Sequence, residues 1–248
     1  MYEEDNIRLN KYIADSGFCS RREADKVISD GRVTIDGRKG VLGDKVNSSM
    51  DVRVDGKSIK QRTKKVYIAF NKPEGIVCTA DQREPDNVID YIGYPERIYP
   101  IGRLDKDSHG LLLLTSDGDI VNRILRAAGK HEKEYIVEVN KPINDDFLRK
   151  MASGVPILDT VTLPCRLRRT GARSFNLILV QGLNRQIRRM CEALGYNVVK
   201  LRRIRFNNIT LGELKAGQWR LLKEDELTKL LSSIRDSDPS PYRYSEKQ

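Results

Sequence analysis

One carboxylate placed between cations is the feature of this sequence best suited to chemistry. Asp105 lies in the segment 102–110, close to Arg103 and Lys106, and this segment leads into the apolar run Leu111–Leu114. A turn bounded by glycines in front of a buried strand can hold one ionised Asp at a fixed point, as a nucleophile or base requires. The residues therefore predict a reactive site centred on Asp105.

The same segment has two structural interpretations. An Asp can accept hydrogen bonds from the amides of a turn, and the pattern alone does not separate that role from chemistry. Asp105, Asp107 and His109-Gly110 also imitate the start of an EF-hand calcium loop. However, the twelfth position is Ser116, where a bidentate Glu is needed, and no flanking helix pair is evident. We reject the calcium interpretation.

Two further places could converge on this carboxylate. Tyr135 lies in an alternating segment and could face a cleft, although a core position is the simpler interpretation. Segment 182–190 starts at a glycine and carries Asn184, Arg185, Arg188 and Arg189. A helix start with arginines is suited to binding phosphate, whereas surface charge is the structural alternative. Residues alone do not rank an RNA enzyme above a passive RNA binder.

The composition is that of a globular protein large enough for two modest domains. The chain has 248 residues, of which 39% are hydrophobic and 32% charged. No apolar run reaches the length of a membrane span, and the first five residues are acidic, unlike a signal peptide. The four cysteines are scattered without a CxxC pair, so we expect reduced thiols, no metal site and a cytoplasmic location.

Positive charge is concentrated in one part of the chain. The net charge is +10, and the segment 165–205 holds eleven Arg or Lys residues against the single acid Glu192. That excess equals the net charge of the whole protein. Because the cations have few acidic neighbours in sequence, we expect them to contact a polyanion rather than only solvent.

Residues 1–60 are predicted to form a small separate module. Ser20 and Glu23 have the spacing of a helix capping box, and Gly31 is placed to end that helix. Short strands at Val33–Ile35 and Val52–Val54 precede Asp-Gly turns. Four basic residues lie on or just before the two predicted helices: Arg8, Lys11, Arg21 and Arg22. We expect a linker at 61–65.

Residues 66–236 are predicted to form an α+β domain. Strands are expected at Val66–Phe70 and Leu111–Thr115, because both segments are apolar and rich in β-formers. A helix after Asp119 is expected to turn Val121, Ile124 and Leu125 inward, and Asn184 is expected to cap a later helix. Strand and helix runs are segregated, which favours α+β over a strict βαβ series. Residues 237–248 are expected to be a mobile tail.

Three of these motifs, in order and spacing, resemble a known enzyme family. Segments 102–111, 133–135 and 182–190 are similar to the motifs of RsuA/RluB/RluE/RluF-type ribosomal pseudouridine synthases, and Lys72-Pro73 resembles their first motif. Residues 7–60 look like the S4 RNA-binding (alpha-L) domain that precedes many of them. Segments 130–135 and 155–158 look closest to the RluF branch. The resemblance implies a pseudouridine synthase fold, a mixed and largely antiparallel sheet with flanking helices.

The resemblance also implies roles for individual residues. Asp105 matches the catalytic aspartate, and Arg103 matches the arginine that fills the RNA stack left by the target uridine. Tyr135 matches the tyrosine that packs on the flipped base and is implicated in removing the C5 proton. Arg188 matches the basic residue that pairs with the aspartate, which would favour its ionised form. The RNA-binding residues expected from motifs and charge are Lys72, Arg103, Asn184, Arg185, Arg189, Arg8, Lys11, Arg21 and Arg22.

The expected function is isomerisation of a specific uridine in large-subunit (23S) ribosomal RNA, by base flipping and without a metal or cofactor. The expected partner is a structured RNA, a stem-loop, and a transfer RNA is left open as a second target. We expect a monomer that contacts neither membrane nor DNA. The alternatives are a non-catalytic RNA-binding or ribosome-assembly protein of this fold, an N-glycosidase, or a synthase acting on small-subunit rRNA or tRNA.

Overall fold

A computed structural model describes residues 6–61, 64–81, 83–127 and 131–235. The chain forms two compact units, Met1–Lys65 and Val66–Gln248. The acidic N-terminal residues 1–5, part of the predicted linker and the predicted tail 237–248 lie outside the described residues.

The first unit begins with two helices whose ends follow the sequence signals. Helix α1 spans Leu9–Asp15 and helix α2 spans Arg21–Ser29. The capping box is confirmed, because the Glu23 amide donates to Ser20 Oγ over 3.2 Å and the Ser20 amide donates to Glu23 Oε2 over 2.7 Å. Each bond satisfies an amide that the first helical turn leaves without a backbone partner.

Short strands complete the first unit. They are β1 (Ile7–Arg8), β2 (Val33–Ile35), β3 (Arg38–Lys39), β4 (Lys45–Val46), β5 (Val52–Val54) and β6 (Lys57–Ser58). Strands β3, β2, β5 and β6 form one antiparallel sheet in that order, and β1 pairs with β4. Asp36 and Asp55 both have positive φ, as the two Asp-Gly turns predict. The two helices and the strands share one core.

A nine-stranded mixed sheet organises the second unit. Its strands are β7 (Tyr67–Lys72), β8 (Tyr99–Ile101), β9 (His109–Thr115), β10 (Lys133–Val139), β13 (Arg166–Gly171), β14 (Ser174–Leu179), β15 (Val198–Phe206), β16 (Ile209–Thr210) and β17 (Trp219–Leu221). The main order is β13-β14-β10-β15-β9-β7-β17; in addition, β8 pairs with β9 and β16 pairs with β15. Among the described strand pairs of this sheet, only β15–β9 is parallel. The hairpin β11–β12 (Pro156–Ile157, Thr160–Val161) lies outside this sheet.

Helices cover parts of both faces of this sheet. They are α3 (Val88–Ile92), α4 (Gly118–Ala127), α5 (Asp145–Ser153), α6 (Gln186–Ala193) and α7 (Glu224–Arg235). Neighbouring residues of β9 point to opposite faces, because Leu112 belongs to the core that contains α5 and α6 whereas Leu113 belongs to the core that contains α4 and α7. The prediction that Leu125 points inward is wrong, since it is 42% exposed. Ile124 on α4, also predicted to point inward, is fully buried.

Along one edge of β9, Leu111 and Leu112 pair with neither β8 nor β15, and the segment with Asp105 begins and ends at this edge. Strand β7 pairs with β9 from Gly110 to Thr115, so β8 and β15 must share the opposite edge. There β15 pairs at Gly110, whereas β8 pairs from Leu113 onwards. The connection 102–108 joins the end of β8 to the start of β9. The topology therefore brings Asp105 to the boundary between the two halves of the sheet.

Gly110 is required by the close approach of β9 and β15. Its φ is +105°, and a Cβ at this position would lie 2.2 Å from the carbonyl oxygen of Arg203. A larger residue would therefore add backbone strain and force the two strands apart. This glycine fixes the register immediately after the predicted reactive segment.

We expect Gly110→Ala to lower the free energy of unfolding of the second unit by about 4 kcal/mol, the sum of backbone strain and overpacking. Gly212→Ala is the matched control, because Gly212 also has positive φ (+54°) but nothing within 4 Å of its added Cβ. Urea denaturation measures both variants. Equal losses in the two proteins would contradict the argument from close approach.

Candidate active site

A buried ammonium group supports the segment that carries Asp105. Lys72, at the end of β7, has no exposed surface. Its Nζ donates to the carbonyls of Pro73 and Ser108 over 2.8 Å each, and lies 3.5 Å from the carbonyl of Lys106. The expectation that Lys72 contacts RNA is therefore wrong, because its charged end faces backbone carbonyls inside the protein. Burial lowers the pKa of Lys72, while neighbouring acidic groups act in the opposite direction.

Asp105 presents a carboxylate that is not used by the turn. Its backbone carbonyl accepts from the Ser108 amide over 3.0 Å, which closes the turn. Its side chain is 34% exposed and lies 3.7 Å from Nη1 of Arg185. Among the described residues, no backbone amide donates to this carboxylate. The interpretation of Asp105 as a side chain that satisfies turn amides therefore fails.

Arg188 pairs with Asp107 and not with Asp105. Its Nε lies 3.3 Å from Asp107 Oδ2, without the geometry of a hydrogen bond. Its Nη2 donates to the Asp107 carbonyl over 2.7 Å and approaches Ser108 Oγ at 3.3 Å. These backbone and hydroxyl contacts tie the guanidinium to the end of the turn, two residues beyond Asp105. The predicted Arg188–Asp105 pair is therefore wrong.

Arg185 bridges the two carboxylates. Its guanidinium donates to Asp107 over 3.1 and 3.4 Å and also lies 3.7 Å from Asp105. Burial disfavours the ionised form of Asp107, but the hydrogen bond from Arg185 and the charges of Arg188 and Arg185 outweigh it, so the pKa of Asp107 is lowered. Asp107 is a site residue that the sequence interpretation considered only as a possible calcium ligand. Its spacing from Asp105 gave no signal of this role.

The start of α6 differs from the predicted cap. Asn184 is not the N-cap. That position belongs to Arg185, which has φ of +49° and makes no side-chain cap bond. The side-chain oxygen of Asn184 instead accepts from Nη2 of Arg189 over 3.2 Å. The backbone carbonyl of Asn184 accepts from Nε of the same guanidinium over 3.1 Å. The side chain of Gln186 accepts from the Leu183 amide over 3.0 Å and so stabilises the turn before the helix.

Strand register relates Tyr135 to the same region. Tyr135 on β10 pairs with Arg203 on β15, and Arg203 pairs with Gly110 at the start of β9. Two strand spacings, roughly 10 Å, therefore separate Tyr135 from Gly110. Tyr135 is 7% exposed and packs in the main core. Its role towards a base stays a prediction.

The remaining predicted RNA-binding residues lie at or near the surface. Arg103 is exposed in the segment before Asp105, next to Leu104, whose amide donates to the buried Cys78 Sγ over 3.3 Å. In the first unit, Arg8, Arg21 and Arg22 are exposed, whereas Lys11 is half-buried and lies 2.6 Å from Asp15. The described residues contain no group of three or more potential metal ligands, and none of their helices could cross a membrane.

Comparisons with known proteins identify both units. Residues 66–193 match the family model for RNA pseudouridylate synthase, and residues 7–50 match the S4 domain. The dual-specificity RNA pseudouridine synthase RluF of Escherichia coli K12 is 50% identical over 239 residues, covering 96% of this chain and 82% of that protein. Ribosomal large subunit pseudouridine synthase B of Bacillus subtilis is 35% identical over 232 residues, covering 90% and 95% respectively.

A solved structure agrees with these sequence matches. The crystal structure of a pseudouridylate synthase superposes with a TM-score of 0.65 at 30% identity, covering 90% of this chain and 99% of that chain. Both the order of the two units and the sheet of the second unit are thus those of known proteins.

We expect the Asp107 carboxyl to titrate below its ordinary value of about 3.9, because Arg185 and Arg188 favour its charge. A group with a lowered pKa stabilises the fold above its unfolded value, and that contribution is lost as pH falls through the folded value. Carbon-13 NMR of the carboxyl measures the midpoint. Arg185→Gln should raise it, whereas the control Arg166→Gln, which breaks a pair with Glu132, should not. An unchanged midpoint in Arg185→Gln would contradict the assignment.

Proposed function

Because this chain belongs to the RNA pseudouridylate synthase family, we propose that it converts a specific uridine of 23S ribosomal RNA to pseudouridine with Asp105 as the reacting carboxylate. The supporting observation is the state of Asp105: its side chain is one-third exposed, makes no hydrogen bond among the described residues and faces Arg185 at 3.7 Å. A structural Asp would use its oxygens on the turn. This one leaves them available.

The reaction requires an ionised carboxylate at this point. The N1–C1′ bond must break, the uracil must turn while it stays bound, and C5 must join C1′ as the C5 proton leaves. A carboxylate can assist by attacking C1′ or by removing a proton from C2′, and both routes need the charged form. The Arg185 guanidinium lies 3.7 Å from this carboxylate without forming a hydrogen bond to it.

We also propose that the target base leaves its stack to reach Asp105. Extruding a base costs a few kcal/mol, which contacts to phosphates and a side chain filling the gap offset. Arg103 is exposed two residues before Asp105, and we propose that it fills that gap. Tyr135 lies two strand spacings from the start of β9 and is proposed to pack on the extruded base.

The proposed RNA contacts extend over both units. Arg189 and Asn184 at the start of α6 are proposed to bind phosphate beside the extruded nucleotide, and Arg8, Lys11, Arg21 and Arg22 are proposed to contact the RNA through the S4 domain. Phosphate contacts release counterions, so affinity should fall steeply with rising salt. One chain supplies Asp105, Tyr135 and Arg188, and we therefore propose that a monomer is active.

The RNA target is proposed from the relatives. Ribosomal large subunit pseudouridine synthase B is named for the large subunit, and RluF is named as a dual-specificity enzyme. We propose a stem-loop of 23S rRNA as the main target and a second RNA, with tRNA as the first candidate. Mapping pseudouridine in RNA from cells with and without the gene tests both. Release of free uracil instead of a rejoined product would favour the N-glycosidase alternative.

We expect Asp105→Asn to reduce uridine isomerisation ~1,000-fold or more, because the amide can neither attack C1′ nor accept the C2′ proton. RNA affinity should stay within about threefold. Tritium release from RNA labelled at uridine C5 measures the reaction, and filter binding measures affinity. The matched control is Asp86→Asn, which removes an exposed acid paired with Lys106 over 3.1 Å. Tritium release at the control rate from Asp105→Asn would disprove the assignment.

We expect the double variant Arg21→Ala, Arg22→Ala to weaken RNA binding while leaving the rate at saturating RNA unchanged. Each lost phosphate contact should reduce the slope of log affinity against log salt by about 0.7–0.9. Titrations at several salt concentrations measure this slope. A truncated chain starting at Val66 should show the same effect more strongly. Unchanged affinity in both proteins would refute an RNA-binding role for the S4 domain.

A further inference from the structure

Lys133 is a buried cation that the proposed reaction does not use. It begins β10, is 7% exposed and lies two residues before Tyr135 on the same face of the strand. Its Nζ donates to the carbonyl of Val180 over 2.7 Å and lies 3.5 Å from the carbonyl of His131. A charged donor bound to a carbonyl inside the protein fixes the position of that carbonyl firmly.

Val180 is the point at which the chain leaves the sheet towards the arginines. Strand β14 ends at Leu179, and the connection from Val180 to Arg185 leads into α6. A Cβ on Gly182 would lie 4.0 Å from the Nζ of Lys133, so the ammonium lies directly against this connection. Movement of the backbone here would be transmitted to Arg185 within a few residues.

The position of Arg185 determines the charge next to Asp105. Arg185 adopts φ of +49°, a left-handed conformation that is unfavourable for a residue other than glycine and must be held by its surroundings. Its guanidinium lies 3.7 Å from Asp105 and 3.1 Å from Asp107. A shift of about 1 Å at this place would change which carboxylate it favours.

We propose that Lys133 is a positioning residue: by holding the Val180 carbonyl, it sets the place from which Arg185 and Arg188 reach the turn of Asp105 and Asp107. Lys72 holds the other side of the same site through the carbonyls of Pro73 and Ser108. Two buried lysines thus fix the two segments that meet at the reactive carboxylate. The consequence for catalysis rests on the proposed role of Asp105.

The surroundings of Lys133 make this support sensitive to pH. Among the described residues, Arg203 on β15 and His131 before β10 are charged or titratable groups that face it, and the ring of Phe206 lies 6.0 Å away. Burial lowers the pKa of Lys133 to about 8, and the charge of Arg203 acts in the same direction. The charged form is therefore present below about pH 8 and is lost as pH rises through that value, which weakens the bond to Val180.

The test compares Lys133→Met with Lys229→Met, the same substitution at an exposed lysine on α7. Lys133→Met should lower the single-turnover rate of pseudouridine formation by about tenfold to a hundredfold with little change in RNA affinity. It should also speed hydrogen–deuterium exchange of amides 181–189. Lys229→Met should change neither quantity. Melting temperatures of both variants report whether the fold is kept.

The pH profile separates positioning from general support of the fold. As pH rises from about 6.5 to about 8.5, the wild-type single-turnover rate should fall, because Lys133 loses its charge. This alkaline step should be absent in Lys133→Met. If that variant does not fold, Lys133→Gln replaces it, because the amide keeps an N–H donor without the titrating charge. Lys133→Gln should keep protection of 181–189 and lose the alkaline step.

Two results would overturn the proposal. One is a Lys133→Met protein whose single-turnover rate is within twofold of the Lys229→Met rate and whose amides 181–189 exchange as slowly as in the wild type. The other is an alkaline step that persists in Lys133→Gln. By contrast, faster exchange in Lys133→Met combined with full activity of Asp105→Asn would retain the structural role of Lys133 and reject the proposed role of Asp105.

Discussion

The placement of the turn that carries Asp105 depends on one buried ammonium group. Lys72 ends a strand that is buried along its whole length, and its Nζ is surrounded by the carbonyls of Pro73, Lys106 and Ser108. Taking an ammonium out of water is costly unless charged hydrogen bonds replace the lost solvation. The backbone on both sides of residue 107 is therefore held close to Lys72. Ordering the turn costs conformational entropy, and these bonds offset it before any substrate arrives.

This support explains how a carboxylate can stay unused in the middle of so many cations. The Asp107 carboxylate accepts the bidentate contact of Arg185 and lies 3.3 Å from Nε of Arg188. Among the described residues, the Asp105 carboxylate has only one cation within 4 Å, the Arg185 guanidinium at 3.7 Å. A carboxylate bound bidentately by arginine has its lone pairs engaged and is a weaker nucleophile or base. Asp107 thus fixes the two arginines, and among the described residues no side chain donates a hydrogen bond to Asp105. Asp105 and Asp107 therefore differ in their contacts with Arg185, because the turn presents the two carboxylates at different distances from its guanidinium.

The sequence predicted much of the fold but only part of the site. Alternation identified β10, the capping box identified α2, and the motifs identified the family that the comparisons confirm. Such signals are local, because periodicity tells which side of an element is apolar. The contacts of Lys72, Arg188 and Asn184 were predicted wrongly, since they depend on which carbonyl or carboxylate another part of the chain brings to the end of a long side chain. Neither spacing nor propensity encodes that distance.

The charges buried in the second unit have a common sign. Among the described residues, three cationic side chains are buried: Lys72, Lys133 and Arg203. None of the described Asp or Glu residues is buried. Two of these cations hold backbone segments of the site, Lys72 through the carbonyls of Pro73 and Ser108 and Lys133 through the carbonyl of Val180. Arg203 donates to the carbonyl of Leu111 on β9 over 2.7 Å. In the proposed reaction the negative charge lies first on Asp105 and then also on the uracil, which takes the electrons of the broken N1–C1′ bond. Cations fixed before the substrate binds can stabilise such charge without rearranging, and the two buried lysines fix the segments that carry Asp105 and Arg185.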